Sequence, residues 1–250
     1  MAFGALIIGD EILSGKRQDK HLAKAIEILG ARNLELAWAE YVGDDPARIT
    51  ATLRRTFAST DIVFSFGGIG ATPDDHTRQC AAAATGQGLA THPEGLKELE
   101  ARFKPEEITE RRLKMIEFPA RSEIVPNPYN RIPGFSVNAH YFLPGFPEMA
   151  HPMMAWVLDT RYKHLSPAVR SVEEAILVRV GESFLIDIMN VVVRDYPELK
   201  LSSLPQNVQG GGYLVELAVR GDPARVPHAM AYVRAEVAKL GYAFEERAAR

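Results

Sequence analysis

Over the first ninety positions, apolar residues fall into short unbroken runs separated by amphipathic stretches of helical period. Residues 5–8 are a continuous apolar block, the pattern of a strand buried on both faces of a parallel sheet, and 62–66 are a short apolar run rich in strand-forming residues, broken only by Ser65. Residues 34–42 alternate in part and read as a further strand. Between these runs, Asp19 stands as an N-cap before a helix with Leu22, Ile26 and Leu29 on one face and Gly30 at its end. Asp45-Pro46 opens a second helix carrying Ile49, Leu53 and Phe57, since a capping acid followed by proline presets the first turn. Residues 77–85 form a third, closed by Gly86. Three such alternations predict βα crossovers and a mainly parallel sheet sandwiched by helices.

The pattern then loosens. Residues 93–103 and 105–118 are charged and periodic and predict two helices. Residues 123–125 and 136–143 are strand candidates on either side of the loop PNPYNRIPG, and Pro144-Gly145-Phe146-Pro147 turns into a helix from about Glu148. A charged, proline-containing stretch at 162–167 marks a boundary, giving domains 1–165 and 166–250. The second has its own order: a strand at 173–180, a helix at 183–196, strands at 200–208 and 213–220 joined through Gly210-Gly211-Gly212, and a helix at 223–240. That is a small β-α-β-β-α domain of the α+β class.

Composition narrows the functional classes. A formal net charge of -3 supplies no basic field for nucleic acid or an anionic membrane. The single cysteine, Cys80, excludes an intrachain disulfide framework and reads as a small buried hydrophobe. No apolar run has the length of a membrane span, and the start of the chain lacks a signal peptide's basic region, so a cytoplasmic protein is expected.

The chemistry concentrates where the buried strands end. The strand at 62–66 runs into Gly67-Gly68-Ile69-Gly70, followed by Thr72, Asp74, Asp75 and Thr77. In an open parallel sheet, ligands bind beyond the carboxyl ends of strands, and glycines let backbone N–H groups approach a phosphate. No Gly-Lys-Ser/Thr follows and the order GxGxxG is absent, so neither a P-loop nor a dinucleotide fingerprint is present. Asp74 and Asp75 would repel a bare phosphate, which predicts a divalent cation such as Mg²⁺ between acid and phosphate. Asp10-Glu11 and Asp44-Asp45 follow strands of the same sheet and should reach the same edge, with Ser14 and Gly15 extending the first loop. His21, His76 and His140 have no metal-ligand spacing and read as structural or surface histidines.

GDEILSG at 9–15 with Asp19, GDDPARI at 43–49 and GGIGATPDDHT at 67–77 resemble the molybdopterin-binding (MoaB/Mog-like) domain. With Pro133-Gly134-Phe135 and LPGFPEM at 143–149, the pattern is closest to the N-terminal region of the competence/damage-inducible CinA family. The resemblance covers essentially the whole chain and implies a three-layer domain followed by a small one. It implies binding of molybdopterin or its adenylated form, or divalent-metal-dependent hydrolysis of a nucleotide diphosphate such as ADP-ribose or FAD, the reading preferred here. A non-catalytic nucleotide- or pterin-binding module is a further alternative, and a homo-oligomer of two or three copies is expected. By the same resemblance Asp44 and Asp75 take the catalytic positions. Gly9, Asp10, Ser14, Gly15, Gly67, Gly68, Gly70, Thr72, Thr77, Pro144 and Gly145 hold phosphate or ligand, and Asp75, Asp74, Asp44 and Glu11 face the metal. The chain departs from the pattern at Asp10, His21 and Ala71, where threonine, asparagine and proline are common. The amidase domain of longer family members has no counterpart in the sequence, so no deamidase activity is expected.

Overall fold

The computed structural model describes residues 1–166, 169–207 and 212–247. The chain divides into two compact units, Met1–Ser166 and Pro167–Arg250.

In the first unit, β1 (Phe3–Ile8) leads through a short helix, α1 (Asp10–Leu13), to α2 (His21–Gly30) and β2 (Leu36–Val42). Then come α3 (Pro46–Phe57), β3 (Ile62–Phe66) and α4 (Thr77–Ala84). A peripheral section follows: β4 (Leu89–Thr91), α5 (Pro93–Arg102), α6 (Glu110–Lys114) and β5 (Glu117–Pro119), with β4 and β5 paired antiparallel. The unit closes with β6 (Glu123–Val125), β7 (Gly134–Val137), β8 (His140–Leu143) and α7 (Pro147–Arg161). The central sheet has the order β2-β1-β3-β8-β7-β6. Its first four strands are parallel, and β7 and β6 are antiparallel additions.

Alternation along β1 assigns the two faces. Phe3, Ala5 and Ile7 pack toward a core shared with α2 and α7, while Leu6 and Ile8 pack toward one containing Ile49 and Leu53 of α3 and Cys80 of α4. The result is the expected three-layer α/β sandwich. Because β1 lies between β2 and β3, the crossovers from β1 to β2 and from β2 to β3 leave on opposite faces. A crevice therefore opens beyond the C-terminal ends of β1 and β3, the switch point of the sheet.

Several expectations need correction. Residues 136–143 are not one strand but part of the hairpin β7–β8, reversed at Asn138, whose φ of 52° lies in the left-handed region that asparagine tolerates. The periodic stretch 105–118 holds only a 3₁₀ turn at Pro105–Glu107 and the five-residue α6 before β5 begins. In α2 the inward stripe passes through His21, Ala25, Ile28 and Leu29, leaving Ile26 exposed at 52%. Asp19 does cap this helix, its carboxylate accepting from the N–H groups of His21 (2.8 Å) and Leu22 (3.1 Å).

The second unit contains β9 (Val172–Val178), α8 (Ile186–Asp195), β10 (Lys200–Asn207), β11 (Tyr213–Gly221), α9 (Val226–Lys239) and β12 (Phe244–Arg247). Its antiparallel sheet, β10-β11-β9-β12, packs Ile176, Val178, Val215 and Leu217 against Ile188, Val192, Met230 and Val233 of α8 and α9. The fourth strand, β12, was not expected, because its Phe-Glu-Glu-Arg sequence reads as a solvated tail rather than an edge strand. Of the glycine connection expected between β10 and β11, Gly210 and Gly211 lie outside the described residues, as does Pro167 at the expected boundary.

Candidate functional site

A cavity of about 600 Å³ occupies the switch-point crevice. One wall is the loop after β3. Gly67 (φ 102°) and Gly68 (φ 68°) both sit in the left-handed region. A Cβ on Gly67 would stand 2.2 Å from the carbonyl oxygen of Ile8, and one on Gly68 would stand 2.2 Å from Thr77 Oγ1. Only glycine brings this backbone so close to β1 and α4.

The polar groups of this loop are sorted. Three of its carbonyl oxygens are bound from the side of α4: Thr77 Oγ1 donates to Gly67 O (3.1 Å), Thr77 N to Gly68 O (2.9 Å), and Arg78 Nη2 to Gly70 O (2.6 Å). Thr77 and Arg78 are buried behind the loop. The N–H groups of Gly68, Ile69, Gly70 and Ala71, by contrast, have no acceptor among the described residues. All four of these residues line the cavity. Backbone donors without a protein acceptor in a recess can take an anion, since each buried N–H costs free energy unless water or a ligand accepts from it.

The facing wall comes from the loops after β1 and β2. Asp10 N donates to Asp44 Oδ2 (2.8 Å), and Asp44 N donates back to Asp10 Oδ1 (3.1 Å), so two acidic loops lock each other in register. Glu11 and Asp44 line the cavity. Burial holds the Asp44 carboxyl above the usual range, opposed by the Asp10 N–H, and the negative charges of Asp10, Glu11 and Asp74 raise it further. A carboxylate surrounded by carboxylates suits a divalent cation. Mg²⁺ in particular needs only one or two protein carboxylates when phosphate oxygens and water complete its shell.

A third side belongs to the 126–133 loop and the turn before α7, through Asn130, Ile132, Pro133, Phe146 and Met149. The buried Asn127 braces it, donating from Nδ2 to Asn130 Oδ1 (2.8 Å) and Ile132 O (2.9 Å). His21 Nε2 donates to the carbonyl of Gly145 (3.2 Å) while its ring stacks on Phe66 at 4.6 Å. This histidine is buried and structural, and burial lowers its pKa.

Of the residues expected at the site, Gly9, Glu11, Asp44, Gly67, Gly68, Gly70, Thr72, Asp74, Asp75, Pro144 and Gly145 line the cavity. Asp10, Ser14, Gly15 and Thr77 do not. Asp10 acts through Asp44, Thr77 works from behind the glycine loop, and Ser14 and Gly15 lie on the exposed end of α1. Among the described residues, no group of three or more histidine, cysteine, aspartate or glutamate side chains is arranged to hold an ion, although Asp10, Glu11 and Asp74 lie near enough to Asp44 to act on its charge. Asp75 is partly committed elsewhere, its Oδ2 accepting from Thr72 N (2.9 Å) and from the Thr72 hydroxyl. Sequence reasoning missed Arg17, the only cation lining the cavity among the described residues, and also Met115 and Met149. Arg17 was visible in the loop after β1, but nothing in its spacing distinguished it from a solvated arginine.

Comparison with known proteins adds the lineage. Residues 4–164 match the family described as "Probable molybdopterin binding domain". A CinA-like protein of Syntrophotalea carbinolica is 32% identical over 160 residues, 61% of this chain but only 39% of its own length. The chain thus spans well under half of that relative. A protein of Aeropyrum pernix is 30% identical over 247 residues, covering 96% of this chain and 92% of its own. Among solved structures, that of the protein CinA from Thermoplasma acidophilum, described as of unknown function, superposes with a TM-score of 0.57 at 26% identity. It covers 64% of this chain and 98% of its own. No helix among the described residues is long and apolar enough to cross a membrane.

Proposed function

The chain belongs to the family of probable molybdopterin binding domains, with CinA-like relatives, and from that premise we propose that it hydrolyses a nucleotide diphosphate of the ADP-ribose or FAD type with a divalent cation. One observation carries the reading: residues 68–71, four successive backbone donors without a protein acceptor among the described residues, line the same cavity as Glu11, Asp44, Asp74 and Asp75. In this reading the 68–71 N–H groups hold the diphosphate and stabilise charge that develops on its oxygens. Asp44, with Glu11 or Asp74 beside it, would hold the cation. Bound there, the ion supplies charge neutralisation and a more acidic water. Asp10 keeps Asp44 in place through its N–H, and Asp75 shapes the turn that presents Thr72. Asn130 and Phe146 enclose the rest of the ligand. A volume of about 600 Å³ is in the range of small-molecule and cofactor pockets.

The family match favours a second reading, binding or adenylylation of molybdopterin in cofactor biosynthesis. The two are separated by incubating the protein with ADP-ribose or FAD and Mg²⁺, Mn²⁺ or Co²⁺ while assaying for retained pterin fluorescence. Release of AMP supports hydrolysis. Intact diphosphates together with a co-purifying pterin support the second reading, and ligand binding without turnover points to a binding module.

A further inference from the structure

Behind the glycine wall lies a charge that the catalytic reading does not use. Arg78, the second residue of α4, is only 3% exposed. Its guanidinium donates to three carbonyl oxygens: Gly70 (2.6 Å), Glu117 (3.2 Å) and Lys114. Its Nε is buried without a partner. Among the described residues no carboxylate comes within ion-pair distance, and Glu117 and Asp75 act on it only through space. A buried guanidinium solvated by carbonyl dipoles alone keeps its full positive charge, which is costly without a counter-ion nearby.

We propose that Arg78 is the positioning residue of the glycine loop and also the buried counter-charge that the cavity offers to a phosphate. The fork joins Gly70 to the segment between α6 and β5. It binds the Gly70 carbonyl from behind, so that this oxygen does not repel an anion bound at the neighbouring N–H groups. Lysine can supply the charge, but its single ammonium does not reproduce a planar fork across three carbonyls. Position and charge are therefore separable by substitution.

The charge half of the proposal rests on the phosphate reading of the cavity; the positioning half does not. Two measurements on the full chain test them: hydrogen exchange of residues 67–75, and calorimetric titration with inorganic pyrophosphate, for wild type, R78K and R78M. The expected result is exchange about tenfold faster in both variants while β1 and β3 stay protected. Pyrophosphate affinity should fall about threefold in R78K and at least tenfold in R78M. Should R78M not fold, R78K decides alone. Unchanged exchange in R78K overturns the positioning role, and a loss of affinity beyond tenfold in R78K overturns the assignment of charge to this site. Wild-type affinity in R78M overturns the counter-charge. A wild type that ignores pyrophosphate, with the exchange response intact, overturns the phosphate reading and the counter-charge with it, while supporting the positioning role.

Discussion

The two walls of the cavity are built by opposite means. In residues 67–71 of the loop after β3 the carbonyls of Gly67, Gly68 and Gly70 are bound by Thr77 and Arg78 and the N–H groups of residues 68–71 are left over, so this stretch presents positive backbone dipole, while Asp74 and Asp75 farther along the same loop bring carboxylates to the cavity. In the loops after β1 and β2 the backbone N–H groups of Asp10 and Asp44 are consumed by each other's carboxylates, and the remaining carboxylate oxygens are what is left to present. On the proposed function, the backbone N–H groups of residues 68–71 would take the phosphate and the carboxylates around Asp44 the cation, with no preformed cage of three acids required.

The largest effect is expected from breaking the glycine wall. Gly67→Ala forces a methyl group against the Ile8 carbonyl at a φ of 102°. It should cost the fold about 2–4 kcal/mol in strain and overpacking and abolish ligand binding. Urea unfolding followed by tryptophan fluorescence reads this in the first unit alone, because Trp38 and Trp156 are the chain's two tryptophans.

A second prediction checks that acid sensitivity of the fold comes from the core and not from the acidic wall. His140 on β8 is buried against Thr56 (Nε2 to Oγ1, 2.9 Å), and burial lowers its pKa from 6.5 to about 4. The folded state thus binds fewer protons than the unfolded chain. The neutral ring contributes its full stability above pH 6.5, and this is lost as pH falls toward 4. The loss should be on the order of 3 kcal/mol, at 1.36 kcal/mol per pKa unit. His140→Gln should flatten that part of the pH profile, whereas Asp44→Asn should leave it in place.

The acidic wall is broken next. Asp44→Asn keeps an oxygen for the Asp10 N–H but removes the charge, so turnover should fall roughly 100-fold with the unfolding midpoint nearly unchanged. Asp10→Ala removes only the brace on the Asp44 N–H and should have the smallest effect. About 1 kcal/mol of stability is expected to go, in line with one lost hydrogen bond, with a correspondingly modest loss of rate.

Much of this contrast was legible in the sequence, and the reasons differ by wall. Short apolar runs at 5–8 and 62–66 placed Gly9 and Gly67 at strand ends, and parallel topology carries both to one edge. Asp44 followed from the same reasoning. The wiring behind the glycine loop was not legible, since Thr77 read as a ligand-holding hydroxyl, Arg78 had no assigned role, and their bonds go to backbone atoms that carry no letter. The hairpin β7–β8 was hidden because its turn, Asn138-Ala139, interrupts the apolar run too briefly. The wall around Asn127 and Ile132 has no periodicity at all; it is held by side-chain to backbone bonds inside one loop.

Titrating ADP into wild type and Asp44→Asn, with and without Mg²⁺, separates the phosphate-holding backbone from the cation-holding carboxylates. Mg²⁺ should tighten ADP binding to wild type, the gain should disappear in Asp44→Asn, and metal-free binding should be unchanged or stronger in the variant. A Mg²⁺ gain that persists in Asp44→Asn, or metal-free binding that collapses there, would contradict this assignment of roles.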